Sequence, residues 1–226
     1  NAVEELKKAV YGLPEINRAA IKGAQLVANP GCYPTAIQLA LVPLVKGNLI
    51  NTETIIADAK SGISGAGKKT ETHLLMSEVS ENFKAYGLTG HRHLPEIEEN
   101  LKTIAGLSKV KLTFVPHLVP MIRGIHATLY VDCIEDFDPS AIFNESYKDE
   151  LFVDVLDPGS CPETKSVRGS NLCRLSFYKV PDTNRLIILS VIDNLVKGAA
   201  GQAIQNMNIM MNWPESTGLD LFILHP

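Results

Sequence analysis

Apolar residues recur with a helical period in several segments of the chain. This period predicts a helix over residues 2–11, which a Gly-Leu-Pro step ends, and a buried helix over residues 35–46. The connection at residues 17–31 contains a short predicted strand at residues 24–27. Further helices are predicted from residue 95, where proline lies in the first turn, over residues 139–149 and over residues 195–211.

Apolar and polar residues alternate in other segments, which is typical of half-buried strands. The predicted strands cover residues 54–59, 110–119, 124–133, 151–156, 172–180 and 185–192. The run PDTN at residues 181–184 joins the last two as a hairpin-type turn. Because most of these strands follow one another with few helices between them, the sequence predicts an α+β fold. We expect a mixed, largely antiparallel sheet covered by helices on one face.

The composition limits the classes of partner. The chain has 226 residues, of which 45% are hydrophobic and 20% are charged, so a packed core is expected. A net charge of −4 without a basic run argues against a nucleic-acid partner. No apolar run approaches the ~20 residues that a membrane helix needs. The chain begins without methionine and enters a helix directly, so we expect it to be a fragment.

The use of cysteine indicates the compartment. The four cysteines are Cys32, Cys133, Cys161 and Cys173, and they show neither CxxC spacing nor the density of a disulfide scaffold. They predict free thiols in a reducing compartment, and therefore a cytoplasmic protein.

Cys32 is the first candidate for chemistry. It lies in the run NPGCYPT at residues 29–35, between a glycine turn and the predicted buried helix. At the start of a helix, free backbone N–H groups create a positive end that favours a thiolate, which is the nucleophilic form. The alternative is that Cys32 is a small buried apolar residue. The sequence therefore predicts a covalent catalyst, with a structural cysteine as the alternative.

Two histidines lie next to the helix that begins near residue 95. In an extended segment His91 and His93 would share one face and Arg92 would point to the opposite face. No cysteine or carboxylate at ligand-like spacing completes a metal site, so no metal is predicted. Acid/base partnership with a cysteine is the favoured interpretation, because a thiol with a pKa near ~8.5 needs help to ionise. Ordinary surface histidines remain the alternative.

A glycine-rich run and one arginine are weaker candidates. The run GISGAG at residues 62–67 has the glycine order of the dinucleotide fingerprint reversed, and no clear helix follows it at once. It predicts either a flexible loop or a loop whose exposed backbone N–H groups approach an anion. Arg123 links two predicted strands and is either solvated or a partner for a carboxylate or phosphate.

Taken together, these segments resemble the N-acetyl-γ-glutamyl-phosphate reductases, a family of arginine biosynthesis. The matching segments are NPGCYPTAIQLAL, KSGISGAGKK, GHRHLPEIEENL, FVPHLVPMIRGI, KSVRGSNLCRL and DNLVKGAAGQAIQNMNIM. The HRHLPEI segment is less similar to the related aspartate-semialdehyde dehydrogenases. The resemblance implies a catalytic domain like the C-terminal domain of glyceraldehyde-3-phosphate dehydrogenase.

The family has a nucleotide-binding Rossmann domain and a catalytic domain that forms the dimer contact. The glycine fingerprint of the first domain is not found in this sequence, so NADP would be bound mainly by a domain that the chain lacks. The resemblance therefore implies that residues 1–28 are a remnant of the nucleotide-binding domain. Residues 29–194 would form the catalytic and dimerisation domain. Residues 195–226 would form a helix and tail that return to the nucleotide-binding domain.

The resemblance also implies an activity, which is the NADPH-dependent reduction of N-acetyl-γ-glutamyl phosphate to the semialdehyde. Cys32 would form a thioester with the acyl group, and His93 would be its acid/base partner. His91 and Tyr86 match positions that hold the substrate, whereas Arg92 and Arg123 are candidates for the leaving phosphate on charge alone. The implied cofactor contacts are Ser61, Gly62, Gly65, Asn194 and Lys197.

Two alternatives stay open. The chain could belong to an aspartate-semialdehyde dehydrogenase, which uses the same reaction class on a shorter substrate, or it could be an inactive dimerisation fragment. The implied partners are a small acyl phosphate and further copies of the chain in a homodimer or homotetramer. Neither a nucleic acid nor a membrane is expected as a partner, and we expect the isolated fragment to be inactive.

Overall fold

The structure is a computed structural model that describes residues 3–68 and 71–219. Seven α-helices and nine strands follow one another in this part of the chain. The helices are α1 (Val3–Leu6), α2 (Pro14–Lys22), α3 (Cys32–Lys46), α4 (Met76–Val79), α5 (His93–Ala105), α6 (Pro139–Tyr147) and α7 (Gly201–Met210). The strands are β1 (Val10–Tyr11), β2 (Val27–Ala28), β3 (Ile55–Ser61), β4 (Lys84–Ala85), β5 (Leu112–Leu118), β6 (Ile125–Asp132), β7 (Val153–Val155), β8 (Cys173–Lys179) and β9 (Arg185–Ile192).

One sheet of seven strands forms the centre of the fold, in the order β4-β5-β3-β6-β9-β8-β7. The pairs β3–β5 and β7–β8 are parallel, and the other four neighbouring pairs are antiparallel. The alternating pattern places Ile55, Ala57 and Ala59 on the buried face of β3. The predicted mixed, largely antiparallel sheet is confirmed, and so is the hairpin between the last two strands.

Helix α3 fills the core against β6, β8 and β9. The helix begins at Cys32, three residues before the predicted start, because Gly31 is extended (φ −69°, ψ 164°) and Pro34 fits into a first turn. Every residue from Tyr33 to Val45 is buried, as the uninterrupted apolar run predicts. The catalytic candidate is therefore the first residue of the most buried helix described.

Among residues 3–68 and 71–219, no helix packs against the opposite face of the sheet as closely as α3 packs against this one. Ile56, Tyr130, Ile187 and Leu189 are only partly buried on this face, and Tyr178 is 55% exposed. We call these five residues the open sheet face. No helix among the described residues is both long enough and apolar enough to cross a bilayer.

The N-terminal segment differs from the prediction of one helix over residues 2–11. Helix α1 ends at Leu6, and β1 follows and pairs in parallel with β2 in a separate two-stranded sheet. Helix α2 lies where a connection was expected, because Pro14 begins this helix instead of ending the previous one. Residue 2 of the expected helix lies outside the described residues.

The C-terminal helix is confirmed with a change in its first turn. A π-helical turn, Val196–Ala200, precedes α7, which ends one residue before the predicted boundary. Residues 220–226 of the expected tail lie outside the described part of the chain. The structure also confirms the predicted helix after residue 138, where the Asp138 side chain accepts a hydrogen bond from the Ser140 N–H (2.9 Å).

Candidate active site

Cys32 lies at the first position of α3, at the bottom of a cavity of about 430 Å³. Two glycines allow close contacts around it. A Cβ atom on Gly198 would lie 2.7 Å from the Cys32 Cβ, and a Cβ atom on Gly31 would lie 2.5 Å from Nε2 of His93. Because neither position has room for a side chain, the backbone of the π-helical turn and the imidazole of His93 both approach the first turn of α3 directly.

His93 begins α5, so the HRH segment is not extended as expected. Arg92 has helical backbone angles (φ −56°, ψ −24°), and the turn brings the His91 and His93 rings to 4.9 Å between centroids. Nδ1 of His91 accepts a hydrogen bond from the His93 N–H (3.1 Å). The expectation that Arg92 points away from the histidines is wrong, because Arg92 lines the same cavity as both of them.

Most of the predicted site residues line this one cavity. They are Cys32, His93, His91, Tyr86, Arg92, Ser61, Gly62 and Gly65. They come from segments that are far apart in the sequence. The fold brings them together, because the start of α3, the end of β3, strand β4 and the start of α5 meet at this cavity. The cysteine and the histidine that the sequence predicts as partners therefore lie on the same side of the molecule.

The thiol of Cys32 is not a preformed thiolate in this structure. Burial raises the pKa of Cys32, and the Glu96 carboxylate adds to this increase. The backbone N–H groups at the start of α3 and the Arg92 guanidinium lower the same pKa, but burial is the larger effect. The expectation of a lowered cysteine pKa is therefore wrong, because the helix end that favours the anion is also desolvated.

His93 is neutral at pH 7. Burial, together with smaller effects of the neighbouring His91 and Arg92, lowers the pKa of His93 to about 4. Burial also lowers the pKa of His91. Nδ1 of His93 is buried and has no hydrogen-bond partner among the described residues. A neutral imidazole with a free ring nitrogen can accept a proton, which an imidazolium cannot.

Two tyrosines extend the cavity wall beyond the histidines. The Tyr86 hydroxyl donates to the Tyr33 hydroxyl (3.2 Å), which in turn donates to the carbonyl of His117 (3.3 Å). The ring of Tyr33 packs edge-on against His91, with 5.7 Å between centroids. Burial raises the pKa of both tyrosines, so both hydroxyls stay protonated and can donate hydrogen bonds.

The glycine-rich loop after β3 does not offer its backbone to an anion. The N–H groups of residues 62–65 donate to the carbonyls of Gly124, Met121, Ile122 and Gly62 in turn. A Cβ atom on Gly62 would lie 2.6 Å from the Ile122 carbonyl oxygen, so the glycine is needed for this close packing. The expectation of exposed N–H groups at residues 62–65 is therefore wrong, although Gly62 and Gly65 do line the cavity.

Arg123 and Asn194 do not line the cavity. The Arg123 guanidinium lies 3.4 Å from the buried carboxylate of Asp193. The Asn194 side chain accepts a hydrogen bond from the Gly124 N–H (2.6 Å) and donates one to Ser64 (3.0 Å). The Asn194 side chain thus ties the glycine-rich loop to the turn before β6, and the Arg123 side chain pairs with the residue before Asn194. Their roles toward a cofactor or a phosphate stay predictions.

Lys197, which the resemblance makes a cofactor contact, does not line the cavity either. Its side chain is 0% exposed, and its ammonium group pairs with Glu15 (2.5 Å) and donates to Gln205 (3.0 Å). It belongs to a set of paired groups that we call the ionic network. The network consists of Glu15, Lys197, Gln205, Glu215, Arg18 and Glu150. Two of its three N–H donors are used in this way, and the ammonium group is buried away from the cavity.

Sequence reasoning missed two residues next to Cys32. Oε1 of Glu96 accepts a hydrogen bond from the Gly31 N–H (3.0 Å). Gly198 lies against Cys32, and no local pattern in the sequence singles it out. The spacing of three residues between His93 and Glu96 is the signal that was available, since it places both on one face of a helix.

The described residues contain no group of three or more histidine, cysteine or acidic side chains that could hold a metal ion. All four cysteines are free, as expected. The cavity lining offers the Cys32 thiol, the neutral imidazole of His93, two tyrosine hydroxyls and the Arg92 guanidinium. Its other ionisable side chains are His91, His73, Glu71 and Lys84.

Comparison with known proteins gives consistent results. A family model described as "Semialdehyde dehydrogenase, dimerisation domain" matches residues 32–194. The chain is 58% identical over 219 residues to the N-acetyl-gamma-glutamyl-phosphate reductase of Laribacter hongkongensis. This match covers 97% of this chain and 64% of the relative. It is 58% identical over 212 residues to the enzyme of the same name from Thiobacillus denitrificans, which covers 94% of this chain and 62% of that relative. The chain thus spans less than two thirds of the length of these relatives.

Solved structures give the same fold at low identity. Aspartate semialdehyde dehydrogenase II from Vibrio cholerae superposes with a TM-score of 0.72 at 17% identity. The match covers 91% of this chain and 69% of that structure. At this identity the likeness supports the α+β fold and nothing finer.

Proposed function

The chain belongs to the semialdehyde dehydrogenase dimerisation-domain family, and from this premise we propose that it is the catalytic part of an NADPH-dependent acyl-phosphate reductase. The proposed substrate is N-acetyl-γ-glutamyl phosphate and the product is N-acetylglutamate semialdehyde, a reaction of arginine biosynthesis. The names of the relatives at 58% identity support this choice of substrate. The observation that carries the proposal is a thiol and a neutral imidazole in one cavity.

In the proposed first step, Cys32 attacks the acyl carbon of the substrate. A bond forms between the sulfur and the carbon, the bond from the carbon to the phosphate oxygen breaks, and phosphate leaves with the electron pair. The thiol proton moves to the imidazole of His93, which is neutral and has a free nitrogen. Because burial raises the pKa of Cys32, the proton is transferred during the attack and not before it.

Three other side chains would orient the substrate. Arg92 is exposed at the cavity and carries the positive charge closest to the cysteine and the histidines, which fits a leaving phosphate. His91 and the Tyr86 hydroxyl can donate or accept hydrogen bonds at the opposite wall. We do not extend this role to Arg123, because its guanidinium pairs with Asp193.

The cofactor proposal rests on the edge of the cavity formed by Ser61, Gly62 and Gly65. These residues present flat backbone and a small hydroxyl, and a Cβ atom on Gly65 would come within 2.8 Å of the Ser61 Oγ. Such a surface suits the close approach of a planar ring, whereas phosphates would need donors that this loop does not have free. NADPH, when bound, supplies the hydride that takes the thioester to the aldehyde level.

The proposed domain arrangement follows the same premise. Residues 1–28 would belong to a nucleotide-binding domain, which agrees with the separate two-stranded sheet of β1 and β2. Residues 29–194 would form the catalytic and dimerisation domain. Residues 195–226 would contact the nucleotide-binding domain again, and Met207, Met211 and Trp213 are exposed apolar side chains in this segment that lack such a cover.

The proposed partner is a second copy of the chain. The family description names dimerisation, and the open sheet face carries partly exposed apolar side chains in a row across neighbouring strands. Burying this face against a second copy would cover the second side of the sheet. We propose a homodimer as the smallest assembly, and light scattering of the purified chain would test it.

The function is tested by turnover in a protein that joins this chain to the nucleotide-binding part of its relatives. The substrates are N-acetyl-γ-glutamyl phosphate and β-aspartyl phosphate, each with NADPH, and oxidation of NADPH is followed by absorbance. We expect kcat/KM to be at least about tenfold higher for the N-acetyl-glutamyl substrate, which corresponds to about 1.4 kcal/mol. Preference for the aspartyl substrate would overturn the proposal in favour of an aspartate-semialdehyde dehydrogenase.

A further inference from the structure

The hydroxyl of Tyr11, in strand β1, forms hydrogen bonds with residues next to the candidate active site. Its hydroxyl donates to Oε1 of Glu96 (2.9 Å) and accepts a hydrogen bond from Nε2 of Gln38 (3.1 Å). The same Glu96 oxygen accepts the Gly31 N–H (3.0 Å). Four residues from three separate segments are thus joined by three hydrogen bonds, and Gly31 is the residue directly before Cys32.

The geometry of this chain of hydrogen bonds has a consequence for Cys32. Glu96 lies one turn after His93 on α5, and Gly31 and Gln38 lie at the start and in the second turn of α3. Glu96 and His93 are both on α5, and the Glu96 carboxylate binds Gly31, the residue before Cys32. The position of the Glu96 side chain therefore fixes Cys32 relative to His93. Glu96 has several rotamers available, and the Tyr11 hydroxyl is the second donor that selects one of them.

The Tyr11 hydroxyl stays a hydrogen-bond donor to Glu96. Burial raises the pKa of Tyr11, and the Glu96 carboxylate raises it further, so the phenol stays protonated and can donate. Gln38 is 0% exposed on a mostly apolar helix, and its Nε2 donates to the Tyr11 oxygen, whereas its Oε1 has no hydrogen-bond partner among the described residues. A buried amide without this partner would be destabilising, which explains a polar residue in the middle of α3.

We propose that Tyr11 is a positioning residue for Cys32, acting through Glu96. This inference rests on the proposed function only for its effect on turnover, because the position of Cys32 is also measurable without any substrate. It predicts that the N-terminal segment contributes to the active site of the neighbouring catalytic domain through one hydroxyl group.

The test is Tyr11→Phe, which keeps the ring and removes the hydroxyl. Without the second donor Glu96 is less fixed, the turn before Cys32 loosens, and the thiol becomes more accessible to water. We expect kcat to fall about tenfold with KM changed less than about twofold, which is smaller than the ~10²-fold that a misplacement of 1 Å can cause. We also expect faster alkylation of Cys32 by iodoacetamide, by about threefold at neutral pH, since a pKa decrease of half a unit triples the thiolate fraction.

The matched control is Tyr147→Phe. The Tyr147 hydroxyl also bonds to α3: it donates to the carbonyl of Leu39 (2.5 Å), away from the first turn of that helix. Tyr11→Phe loses two hydrogen bonds and Tyr147→Phe loses one, so both should lower the urea midpoint of unfolding, and Tyr11→Phe should lower it more. Only Tyr11→Phe should change the alkylation rate of Cys32 and kcat.

A double-variant experiment tests whether Tyr11 acts through Glu96. Glu96→Gln keeps the shape of the side chain and weakens the acceptor. If the two residues act as one unit, combining Tyr11→Phe with Glu96→Gln should change the alkylation rate no more than the larger single change does. Additive effects, or a Tyr11→Phe variant that alkylates like Tyr147→Phe, would overturn the inference. Alkylation needs no acyl phosphate, so a failure of the proposed substrate would leave this result readable.

Discussion

The cavity around Cys32 and the ionic network around Lys197 are both built from polar side chains, but they differ in whether those side chains have partners. In the network, Lys197 and Glu15 are 0% exposed and bind each other. In the cavity, His93 is buried with a free ring nitrogen, and Arg92 is exposed beside it. Lys197 and Glu15 neutralise each other, although Oε2 of Glu15 has no hydrogen-bond partner among the described residues, and such a paired charge supports structure. The imidazole of His93 has no charged partner and faces the cavity, so it is available for chemistry.

Desolvation acts on both regions and has opposite results. In the ionic network, ion pairs and hydrogen bonds between side chains offset it. In the cavity, burial outweighs the backbone N–H groups and the Arg92 charge that favour the Cys32 thiolate, and no ion pair offsets the burial of His93, so burial raises the pKa of Cys32 and lowers that of His93. The comparison predicts that variants in the cavity change reactivity with little change in stability, and that variants in the network do the reverse.

The largest expected effect on activity comes from Cys32→Ser. A hydroxyl is far harder to deprotonate than a thiol, so turnover should fall by at least about 10⁴-fold. The unfolding free energy should change by less than about 0.5 kcal/mol, because the substitution is small and adds no charge. Steady-state kinetics and urea unfolding measure the two quantities. A variant that keeps a tenth of the wild-type turnover would remove Cys32 from the mechanism.

His93→Asn should cause the next largest loss. It removes the group that accepts the thiol proton and keeps a polar side chain at the same place. A positioned acid/base group contributes about 10²–10⁴ in rate, so kcat should fall within that range. Single-turnover release of phosphate isolates the acylation step, and equal rates in the variant and the wild type would contradict the role of His93.

The opposite result is expected for Lys197→Met in the ionic network. This change leaves the Glu15 carboxylate buried without its partner, which should lower the unfolding free energy by about 3–5 kcal/mol. The alkylation rate of Cys32 in the folded protein should stay the same. Lys179→Met is the control, because Lys179 pairs with Asp136 at the surface and such pairs contribute about 0–1 kcal/mol. A large change in alkylation would show that the two regions are not separate.

The smallest effect is the pH dependence of stability that comes from His93. Its pKa is about 4 in the folded protein and 6.5 ordinarily, so between these values the unfolded chain binds more protons than the folded one. The unfolding free energy should therefore fall as pH decreases from 6.5 to 4, by up to about 3 kcal/mol from this group. In His93→Asn, the unfolding free energy should fall less between pH 6.5 and pH 4, by up to about 3 kcal/mol. Urea unfolding at several pH values would measure this difference. Parallel curves for the two proteins would contradict a buried neutral histidine.

Periodicity predicted the parts of the fold that have long repeating patterns. The apolar run that became α3 and the alternation that became β9 leave little choice of structure. The N-terminal segment was predicted less well, since β1 and β2 have two residues each and are stabilised by each other and not by a local pattern. Pro14 lies two residues after Gly12, and this step predicts the end of a helix, whereas Pro14 begins one.

Motifs predicted the residues of the cavity but not the partners that decide their chemistry. Cys32 and His93 lie in short specific segments, and both line the cavity. The pKa of Cys32 depends on burial by the fold, which a helix-end argument does not include. The Lys197 partner Glu15 is 182 residues away in the sequence, so no local pattern separates a buried ion pair from a nucleotide contact.

The most direct test of the account is acylation of the protein by N-acetyl-γ-glutamyl phosphate in the absence of NADPH. If the Cys32 sulfur attacks the acyl carbon, one equivalent of phosphate per active site is released in a burst, and mass spectrometry finds the acyl group on the peptide that contains Cys32. The Cys32→Ser protein should give neither the burst nor the adduct on that peptide. Release of phosphate without an adduct, or an adduct on another residue, would contradict the central claim that Cys32 is the nucleophile.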